Sequence, residues 1–275
     1  MTVRIAIHGA AGRMGRRLVA LAAADPQLEL AAALEAAGHP QLGQDAGTIA
    51  GAGPLAVPLD TELPQGVDVV VDFSLPAAAE VIIETCRRRR VPLVVATTGL
   101  EPPQIERLQA AAREIPLLWS PNTSLAVNLT MKLCELAGKA LADKDADVEI
   151  IERHHRYKED SPSGTALKFG EILARTMGHT RHRHGRFGRP GKRPHEEIGY
   201  HAIRVGDNPG EHTILFGMLG ETIELTVRAS NRDCYALGAL AAAKFLAGKP
   251  PGLYGMADVL RGEHLPFPLV DDETQ

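Results

Sequence analysis

The first 35 residues of the chain contain a strand, a glycine-rich loop, a helix and a second strand in immediate succession. The apolar strand covers 3–7 and leads directly into Gly9-Ala10-Ala11-Gly12-Arg13-Met14-Gly15. Helical periodicity then runs over 16–24 and stops at Asp25-Pro26, and a strand over 28–34 ends at Glu35. Because parallel strands need a crossover connection, this β-α-β unit predicts a parallel sheet.

Each glycine of the loop has a separate physical reason. Gly9 permits the tight turn, Gly12 lets the backbone approach a pyrophosphate, and Gly15 lets the helix pack closely on the strand. Glu35 lies about 20 residues further on, where a carboxylate can bind the hydroxyls of an adenosine ribose. The spacing is G-x-x-G-x-x-G rather than the usual G-x-G-x-x-G, so an ordinary turn is the alternative interpretation. The strand, the helix and the acid together favour dinucleotide binding.

Strands and helices continue to alternate through the first 120 residues. The remaining segments are strands at 67–73, 92–96 and 115–119, helices at 76–90 and 101–114, and a mostly irregular stretch at 38–66 with one weak strand at 55–58. This alternation predicts a Rossmann-like doubly wound α/β domain over 1–122. Ligands of such sheets lie beyond the carboxyl ends of the strands. The polar loops found there carry Ser74, Thr97-Thr98-Gly99 and Asn122-Thr123.

The sequence changes character after a long helix that Asn122 or Ser124 can cap and that ends near Ala142. Longer alternating strands are predicted at 148–154, 198–204, 211–217 and 221–229, interrupted only by a helix at 162–177. This pattern predicts a second, α+β substrate domain over 123–231 with an open mixed or antiparallel sheet. A helix at 231–246 and a proline-rich tail on the surface follow it.

The segment 150–167 places several polar groups where a strand gives way to a helix. His154, His155 and Lys158 follow the strand, and Ser163-Gly164-Thr165 opens the helix. A helix N-terminus presents free N–H groups to an anion, and imidazoles beside an ammonium can move protons near neutral pH. The alternative is structural, with Ser163 as an N-cap and the other groups in a solvated loop. That alternative does not explain why so many such groups fall in one short segment.

Composition excludes several classes of protein. The chain has 275 residues, 44% of them hydrophobic, and a net charge of only −4, so no global field points to nucleic acid or membrane. Its three cysteines lie far apart and form no Cys-x-x-Cys pair, which argues against disulfides and structural zinc. Export signals and membrane-length apolar runs are missing from the sequence, so a cytoplasmic enzyme is expected.

The stretch 179–195 is strongly basic and rich in glycine and proline, with no periodicity. A nucleic-acid-binding arm is conceivable, because basic loops bind phosphate backbones. However, this stretch contains one aromatic residue and the whole protein is acidic. A mobile loop that serves another subunit or an anionic substrate is the expectation.

Taken together, the glycine loop and the run Glu152 to Ala166 (ERHHRYKEDSPSGTA) resemble the 4-hydroxy-tetrahydrodipicolinate reductase (dihydrodipicolinate reductase) family. The likeness extends nearly end to end and includes Thr97-Thr98-Gly99, the segment 206–213 and Ala229-Ser230-Asn231-Arg232. It implies an NADH- or NADPH-dependent reductase of lysine and diaminopimelate biosynthesis, with a small dicarboxylate substrate and a homo-oligomeric, tetrameric assembly. It also implies that residues 232–275 return to the dinucleotide-binding domain.

The resemblance implies a role for each matching residue. His154 and Lys158 match the groups that serve proton transfer, and His155, Ser163, Gly164 and Thr165 match a site that holds the substrate. Cofactor contacts match Gly9, Ala10, Ala11, Gly12, Arg13, Met14, Glu35, Ala96, Thr97, Thr98, Ser120, Pro121, Asn122 and Thr123. A metal is not expected, since adjacent histidines on a strand point to opposite faces.

Two departures from the family pattern bear on the cofactor. Members that accept a 2′-phosphate often have arginine after the ribose-binding acid, whereas Ala36 follows Glu35 here. This favours NADH, although Arg13, Arg16 or Arg17 could compensate. Thr123 and Ala126 replace a larger apolar residue and a glycine, which affects the loop expected beside the nicotinamide.

Two other functions remain open from the residues. A related aldehyde or amino-acid dehydrogenase would share the doubly wound half, and a thiol mechanism would need a reactive cysteine. Cys134, however, lies in an apolar helical pattern that predicts burial. A non-catalytic dinucleotide sensor or polyanion-binding protein could use the basic stretch, but such a protein has no need of His154 and Lys158 beside Gly164-Thr165.

Overall fold

A computed structural model describes residues 2–262 of the chain. By their internal contacts these residues form two units, the first built from 2–123 with 236–262 and the second from 124–235. The expected return of 232–275 to the first domain therefore falls partly on residues 263–275, which lie outside the described part. Within 2–262, none of the helices combines the length and the apolar character that crossing a bilayer requires.

The first unit is a seven-stranded, wholly parallel sheet with helices. Its elements are β1 (Val3–His8), α1 (Arg13–Ala24), β2 (Leu28–Leu34), α2 (Ala46–Ala50), β3 (Leu59–Asp60), β4 (Val69–Asp72), α3 (Pro76–Arg89), β5 (Leu93–Val95), α4 (Pro102–Ala112), β6 (Pro116–Trp119), α7 (Asp233–Leu246), β12 (Gly252–Tyr254) and α8 (Met256–Arg261). The strand order is β3-β2-β1-β4-β5-β6-β12. This order confirms the predicted doubly wound sheet, with its switch point between β1 and β4.

The core of the first unit explains why its strands read as unbroken apolar runs. Val70, Leu93 and Leu117 of the central strands are completely buried, and Ile83 and Leu108 of α3 and α4 pack in the same cluster. A strand buried on both faces gains no advantage from alternating polarity. The apolar runs at 69–71 and 93–95 therefore predict the interior of the sheet.

The second unit is a five-stranded mixed sheet with two helices. Its elements are α5 (Leu125–Leu141), β7 (Asp147–His154), α6 (Gly164–Met177), β8 (Arg181–His184), β9 (Glu197–Arg204), β10 (Glu211–Met218) and β11 (Glu221–Arg228). The order is β11-β10-β7-β9-β8, with β10 antiparallel to its two neighbours and β9 parallel to its two neighbours. The predicted open mixed sheet is confirmed.

Alternation along β7 decides which side chains face the helices. Val148, Ile150, Glu152 and His154 are all buried, whereas the residues between them are partly or fully exposed. Phe169 of α6 packs in the same cluster as Val148 and Ile150. Because successive side chains of a strand point to opposite faces, the last two inward positions of β7 carry a carboxylate and an imidazole.

Four local predictions differ from the structure. The prediction of a weak strand at 55–58 is wrong, because Pro58 makes only an isolated bridge with Asp45. The strand of this segment is β3, which begins one residue later. Asp45 instead caps the unpredicted helix α2 and also accepts hydrogen bonds from the N–H groups of Leu55 and Val57.

The basic stretch contains β8, and the tail contains β12, which pairs with β6 at the sheet edge. Helix α6 begins at Gly164 rather than at Pro162, because Ser163 is its N-cap.

Candidate active site

The glycine loop of the first unit is built around close backbone contacts. Gly9 has φ of +79°, and a Cβ there would lie 2.8 Å from the carbonyl oxygen of Phe73. A Cβ at Gly15 would clash with the carbonyl oxygen of Gly9. Gly12 is the N-cap of α1 and has no capping side chain, so the first turn presents its backbone N–H groups without a side-chain acceptor. This cradle fits a pyrophosphate.

Glu35 lies directly beside the loop. Its carboxylate accepts hydrogen bonds from the N–H of Ala11 at 3.1 Å and from the N–H of Ala36 at 3.0 Å. A carboxylate offers about four lone-pair directions, so two accepted bonds leave capacity for ribose hydroxyls. Arg16 braces the loop by donating to the carbonyl oxygen of Ala11 at 2.7 Å. Ala36 itself is exposed.

A buried carboxylate ties the strand ends together at the switch point. Asp72, at the end of β4, is 0% exposed and lies 2.7 Å from Nδ1 of His8 at the end of β1. The hydroxyl of Thr97 donates to the other oxygen of Asp72 at 2.6 Å. The sequence pointed to Thr97 but not to His8, which follows the predicted strand 3–7, or to Asp72, which lies inside the predicted strand 67–73.

The remaining predicted cofactor residues follow β5 and β6. Ala96, Thr97, Ser120 and Thr123 are buried, and the hydroxyl of Ser120 donates to the carbonyl oxygen of Asn122 at 2.7 Å. The N–H of Ser120 donates to the carbonyl oxygen of Val95, which fixes this loop beside the end of β5. The predicted cofactor residues therefore lie at the carboxyl ends of β1, β2, β5 and β6, which is where open parallel sheets bind ligands.

In the second unit, Glu152 and His154 form a close pair at the end of β7. Nδ1 of His154 lies 2.6 Å from a carboxylate oxygen of Glu152. The Arg204 guanidinium also binds Glu152 with two hydrogen bonds, of 2.7 Å and 2.8 Å. Burial raises the pKa of Glu152, but the hydrogen bonds from His154 and Arg204 outweigh it and bring the pKa to about 2. Glu152 is therefore ionised at neutral pH.

Lys158 lies in the loop that follows β7. Its Nζ is 2.7 Å from Oδ1 of Asp160, and its backbone N–H donates to the carbonyl oxygen of His155. Burial raises the pKa of Asp160, whereas the bond from Lys158 lowers it, with a net lowering. The side chain of Lys158 is 21% exposed, so it is only partly buried.

The start of α6 carries the predicted Ser163-Gly164-Thr165 group. The Ser163 hydroxyl accepts from the N–H of Ala166 at 3.2 Å and lies 3.0 Å from Nε2 of His212. Gly164 is exposed, and a Cβ built there would meet no described atom within 4 Å. The first turn of α6 is thus open to an anion beside its own N-cap.

His212 is a buried group that sequence analysis did not select. Its ring lies 5.2 Å from that of His154, centroid to centroid, in an edge-to-face arrangement. Burial and the neighbouring His154 lower the pKa of His212 to about 4, so the ring is neutral at pH 7. The segment 206–213, which carries part of the family resemblance, was the signal that could have identified it.

The predicted substrate residues do not all share one environment. His155 follows His154 directly but is only partly buried, and its Nδ1 is buried without a hydrogen-bond partner among the described residues. Glu152 and Arg204 were also missed by sequence analysis. A charged residue in an alternating strand normally reads as an exposed position, and only the tertiary structure brings these two together.

The basic stretch is held by carboxylates. Arg186 binds Glu149 and Glu197, and Arg193 binds Asp147 and Glu149. Arg193 also donates to the backbone carbonyl oxygens of Val148 and Glu197. The expectation of a loop is therefore wrong for 181–184, which form β8, whereas residues 185–195 have no helix or strand and are attached to β7 and β9 by these ion pairs.

The environment of Cys134 bears on the thiol mechanism considered for a related dehydrogenase. Cys134 is buried, and burial raises the pKa of its thiol to about 12, which leaves it inert at neutral pH. Residues 2–262 contain no group of three or more His, Cys, Asp or Glu side chains arranged to hold a metal ion.

Comparison with known proteins identifies the family. Residues 3–123 match the family described as "Dihydrodipicolinate reductase, N-terminus", and residues 126–260 match "Dihydrodipicolinate reductase, C-terminus". The 4-hydroxy-tetrahydrodipicolinate reductase of Rhodopirellula baltica is 57% identical, covering 94% of this chain and 96% of its own. That of Alkalilimnicola ehrlichii is 48% identical, covering 94% and 99%.

A solved structure has the same architecture. The dipicolinate-bound dihydrodipicolinate reductase of Paenisporosarcina sp. TG-14 superposes with a TM-score of 0.74 at 25% identity, covering 94% of this chain and 99% of that one. Both halves of the chain, and most of its length, therefore match one enzyme family. The chain belongs to the dihydrodipicolinate reductase family of NAD(P)H-dependent oxidoreductases.

Proposed function

We propose that this protein reduces 4-hydroxy-tetrahydrodipicolinate, by way of dihydrodipicolinate, to tetrahydrodipicolinate in diaminopimelate and lysine biosynthesis. The observation that carries the proposal is the grouping of His154, the Lys158 loop and the open first turn of α6 at one end of β7. These groups suit a small dicarboxylate that must gain a proton. Relatives that cover nearly the whole chain bear the name of this reaction.

The substrate carboxylates would bind at the start of α6. Backbone N–H groups at Gly164 and Thr165 and the ammonium of Lys158 favour negative charge there. The relative from Paenisporosarcina binds dipicolinate, a planar dicarboxylate of the same class. His155 would add a further donor, because its Nδ1 has no partner among the described residues.

Lys158 and His154 would handle the protons. A dihydronicotinamide, when bound, would supply a hydride to a ring carbon, and the reduced ring would then need a proton. As negative charge develops on the nitrogen side of the ring, Lys158 donates a proton. Asp160 keeps this donor oriented, because its Oδ1 lies 2.7 Å from Nζ of Lys158. His154, held through Nδ1 by Glu152, leaves Nε2 to orient Lys158 or to relay protons.

The dinucleotide would bind at the carboxyl ends of the first unit's strands. Gly9 to Met14 would hold the pyrophosphate, and Glu35 the adenosine ribose. Ala96 to Thr98 and Ser120 to Thr123 would flank the nicotinamide half. NADH is the favoured cofactor, because the exposed Ala36 offers no charge to a 2′-phosphate.

The protein is also proposed to form a homo-oligomer, most simply a tetramer. The helices of the second unit pack on the sheet face that carries Ile150 and Phe216. Within residues 124–235, no helix packs on the opposite face, which carries Ile151 and Leu215 as only partly buried side chains. These two apolar side chains lie among polar ones on the same face, such as Glu149 and His201, and a second copy of the chain would cover them.

The decisive experiment is nicotinamide oxidation with substrate generated in situ from pyruvate and aspartate semialdehyde by its synthase. We expect synthase-dependent oxidation, faster with NADH than with NADPH. A folded protein that binds NADH but oxidises neither cofactor would contradict this function and would favour either a non-catalytic dinucleotide sensor or a reductase of another imine or oxo-acid substrate.

The role of Lys158 gives the first prediction. Lys158→Ala should lower kcat by roughly 10²- to 10⁴-fold, the usual effect of losing a positioned proton donor. The Kd for NADH, measured by fluorescence titration, should stay unchanged. Lys168→Ala is the matched control, since Lys168 is an exposed lysine of α6 paired with Glu171. Turnover near the wild-type rate in Lys158→Ala would remove Lys158 from the mechanism.

A further inference from the structure

One buried carboxylate contacts three parts of the proposed active site. Glu152 is 1% exposed and accepts hydrogen bonds from Nδ1 of His154 at 2.6 Å and from the N–H of Ser163 at 3.1 Å. Its remaining acceptor positions take both terminal nitrogens of Arg204. Glu152 therefore joins the end of β7, the N-cap of α6 and the end of β9.

Arg204 extends this network to the loop that carries Lys158. Nη2 of Arg204 also donates to the backbone carbonyl oxygen of Asp160 at 2.6 Å. The carboxylate of Asp160 in turn holds Nζ of Lys158 at 2.7 Å. The ion pair of Glu152 and Arg204 thus fixes both the imidazole and the segment that bears the ammonium.

The charge of Glu152 decides which nitrogen of His154 carries the proton. An ionised carboxylate only accepts hydrogen bonds, so the 2.6 Å contact requires a proton on Nδ1. In the neutral ring, Nε2 is then unprotonated. A Cβ at Gly210 would lie 3.0 Å from Nε2, so the glycine leaves room on that side of the nitrogen. Nε2 is consequently the atom that can take up and release a proton.

We propose that Glu152, neutralised by Arg204, is the positioning residue of this enzyme: it fixes the tautomer and orientation of His154 and, through Arg204, the Lys158 loop. The inference rests on the proposed function, because it assigns Glu152 a role through His154 and Lys158. Glu152 itself is enclosed by protein donors and does not touch the substrate. Carboxylates orient catalytic histidines in this way in other enzymes.

A spectroscopic test addresses the hydrogen bond itself. In ¹H–¹⁵N spectra optimised for histidine rings, the wild-type protein should show a strongly downfield Nδ1–H proton that is missing in His154→Gln. Glu152→Gln should lose this signal, because a neutral amide cannot hold the proton as a carboxylate does. A wild-type spectrum without such a signal at any pH from 6 to 9 would overturn the proposal.

Glu149→Gln is the matched control. Glu149 lies three residues earlier on β7, on the opposite face of the sheet, and has its own histidine and arginine partners, His201 and Arg186. Removing this charge should leave the His154 signal in place. Loss of the signal in Glu149→Gln as well would mean that it reports the general integrity of β7, which would overturn the assignment.

Kinetics supply the second readout. Glu152→Gln should lower kcat by at least about 10-fold, in the range seen when a partner that orients a histidine is removed, with the Kd for NADH unchanged. Because Glu152→Gln leaves Arg204 unpaired, the double variant with Arg204→Gln removes both charges together and should show the same loss. Wild-type kcat in either variant, if folded, would refute the positioning role.

Failure of this inference is distinguishable from failure of the proposed function. If His154→Gln and Lys158→Ala lose turnover while Glu152→Gln keeps it, only the role of Glu152 falls. If all three keep wild-type turnover, the proposed mechanism falls as well, whatever the spectra show.

Discussion

Ala36 is the residue at which the choice of cofactor can be tested most directly. Ala36→Arg would place a guanidinium next to Glu35, where it can make a bidentate contact with a 2′-phosphate. We expect kcat/KM for NADPH to rise relative to NADH by roughly 10-fold, the effect of one hydrogen bond between charged groups. Parallel initial-rate measurements with both cofactors would show this change.

Ala37→Arg is the control for that experiment, since Ala37 is the next exposed residue of the same loop. It adds the same charge without the same position. An equal gain in both variants would mean that general attraction, rather than a contact at position 36, selects the phosphate. A wild-type preference for NADPH would show that Arg13, Arg16 or Arg17 already compensates for Ala36.

His212 makes the stability of the protein depend on pH in a definite window. Its pKa is about 4 in the folded protein, because of burial first and His154 second, against 6.5 when unperturbed. Between these values only the unfolded chain binds the proton, so acid favours unfolding. The contribution of the neutral His212 ring to the free energy of unfolding is complete above pH 6.5 and is lost as the pH falls toward 4.

His212→Gln should therefore flatten the response to acid. Between pH 7 and pH 5 the wild type should lose about 2 kcal/mol more free energy of unfolding than the variant, as 1.36 kcal/mol for each unit of pKa difference requires. Urea unfolding at both pH values measures the difference. His184→Gln, at an exposed position, serves as control. Parallel losses in the wild type and His212→Gln would contradict burial of a neutral ring.

At the scale of elements, the close packing of α1 against the glycine loop limits which residues can replace Gly15. Gly15→Ala would drive a methyl group into the carbonyl oxygen of Gly9 and the backbone of Ala10. Overpacking of this kind typically costs about 1–3 kcal/mol. We expect a lower melting temperature and weaker NADH binding, because the loop must move away from α1.

The control for Gly15→Ala is Gly217→Ala on β10, where a Cβ would lie 3.9 Å from the nearest described atom, an ordinary contact. Calorimetry and NADH titration of both variants would separate the clash from the generic effect of adding a methyl group. Unchanged NADH affinity in Gly15→Ala would show that close packing of α1 at this position is not required for dinucleotide binding.

Elements with strong periodicity were predictable from the sequence, and elements held by tertiary contacts were not. The parallel sheet and the alternation of β7 follow from local apolar patterns. Strand β8, with four polar residues, has no such pattern and forms because it pairs with β9 beside Arg186 and Arg193. Helix α2 depends on Asp45, whose side chain accepts hydrogen bonds from both α2 and the segment after it.

The candidate site divides in the same way. His154, Lys158 and Ser163 fall in one short segment, so local sequence was enough to select them. Glu152, Arg204 and His212 come from β7, β9 and β10, and no pattern within one strand predicts that their side chains meet. The pairing of β7 with both other strands brings them together.

For the whole molecule, the assembly is the property to measure. Sedimentation equilibrium should give a mass near four times the chain mass of 29.4 kDa. Leu215→Arg, on the sheet face without helices, should reduce that mass, because it replaces a partly buried apolar side chain of the proposed contact with a charged one. Val81→Arg, at a 66% exposed position on α3, is the control. A wild-type monomer would refute the tetramer, and an unchanged mass in Leu215→Arg would move the contact to another surface.

The way the chain is threaded through its two units has a consequence for the order in which they form during translation. The second unit is one continuous segment, 124–235, whereas the first needs residues on both sides of it. When the ribosome has released residue 235, every strand of the mixed sheet has been synthesised, but β12 has not. The first unit is therefore the last to be completed, although most of its residues are synthesised first. A stop codon just before Gly252 would remove β12 and leave β6 as an unprotected sheet edge.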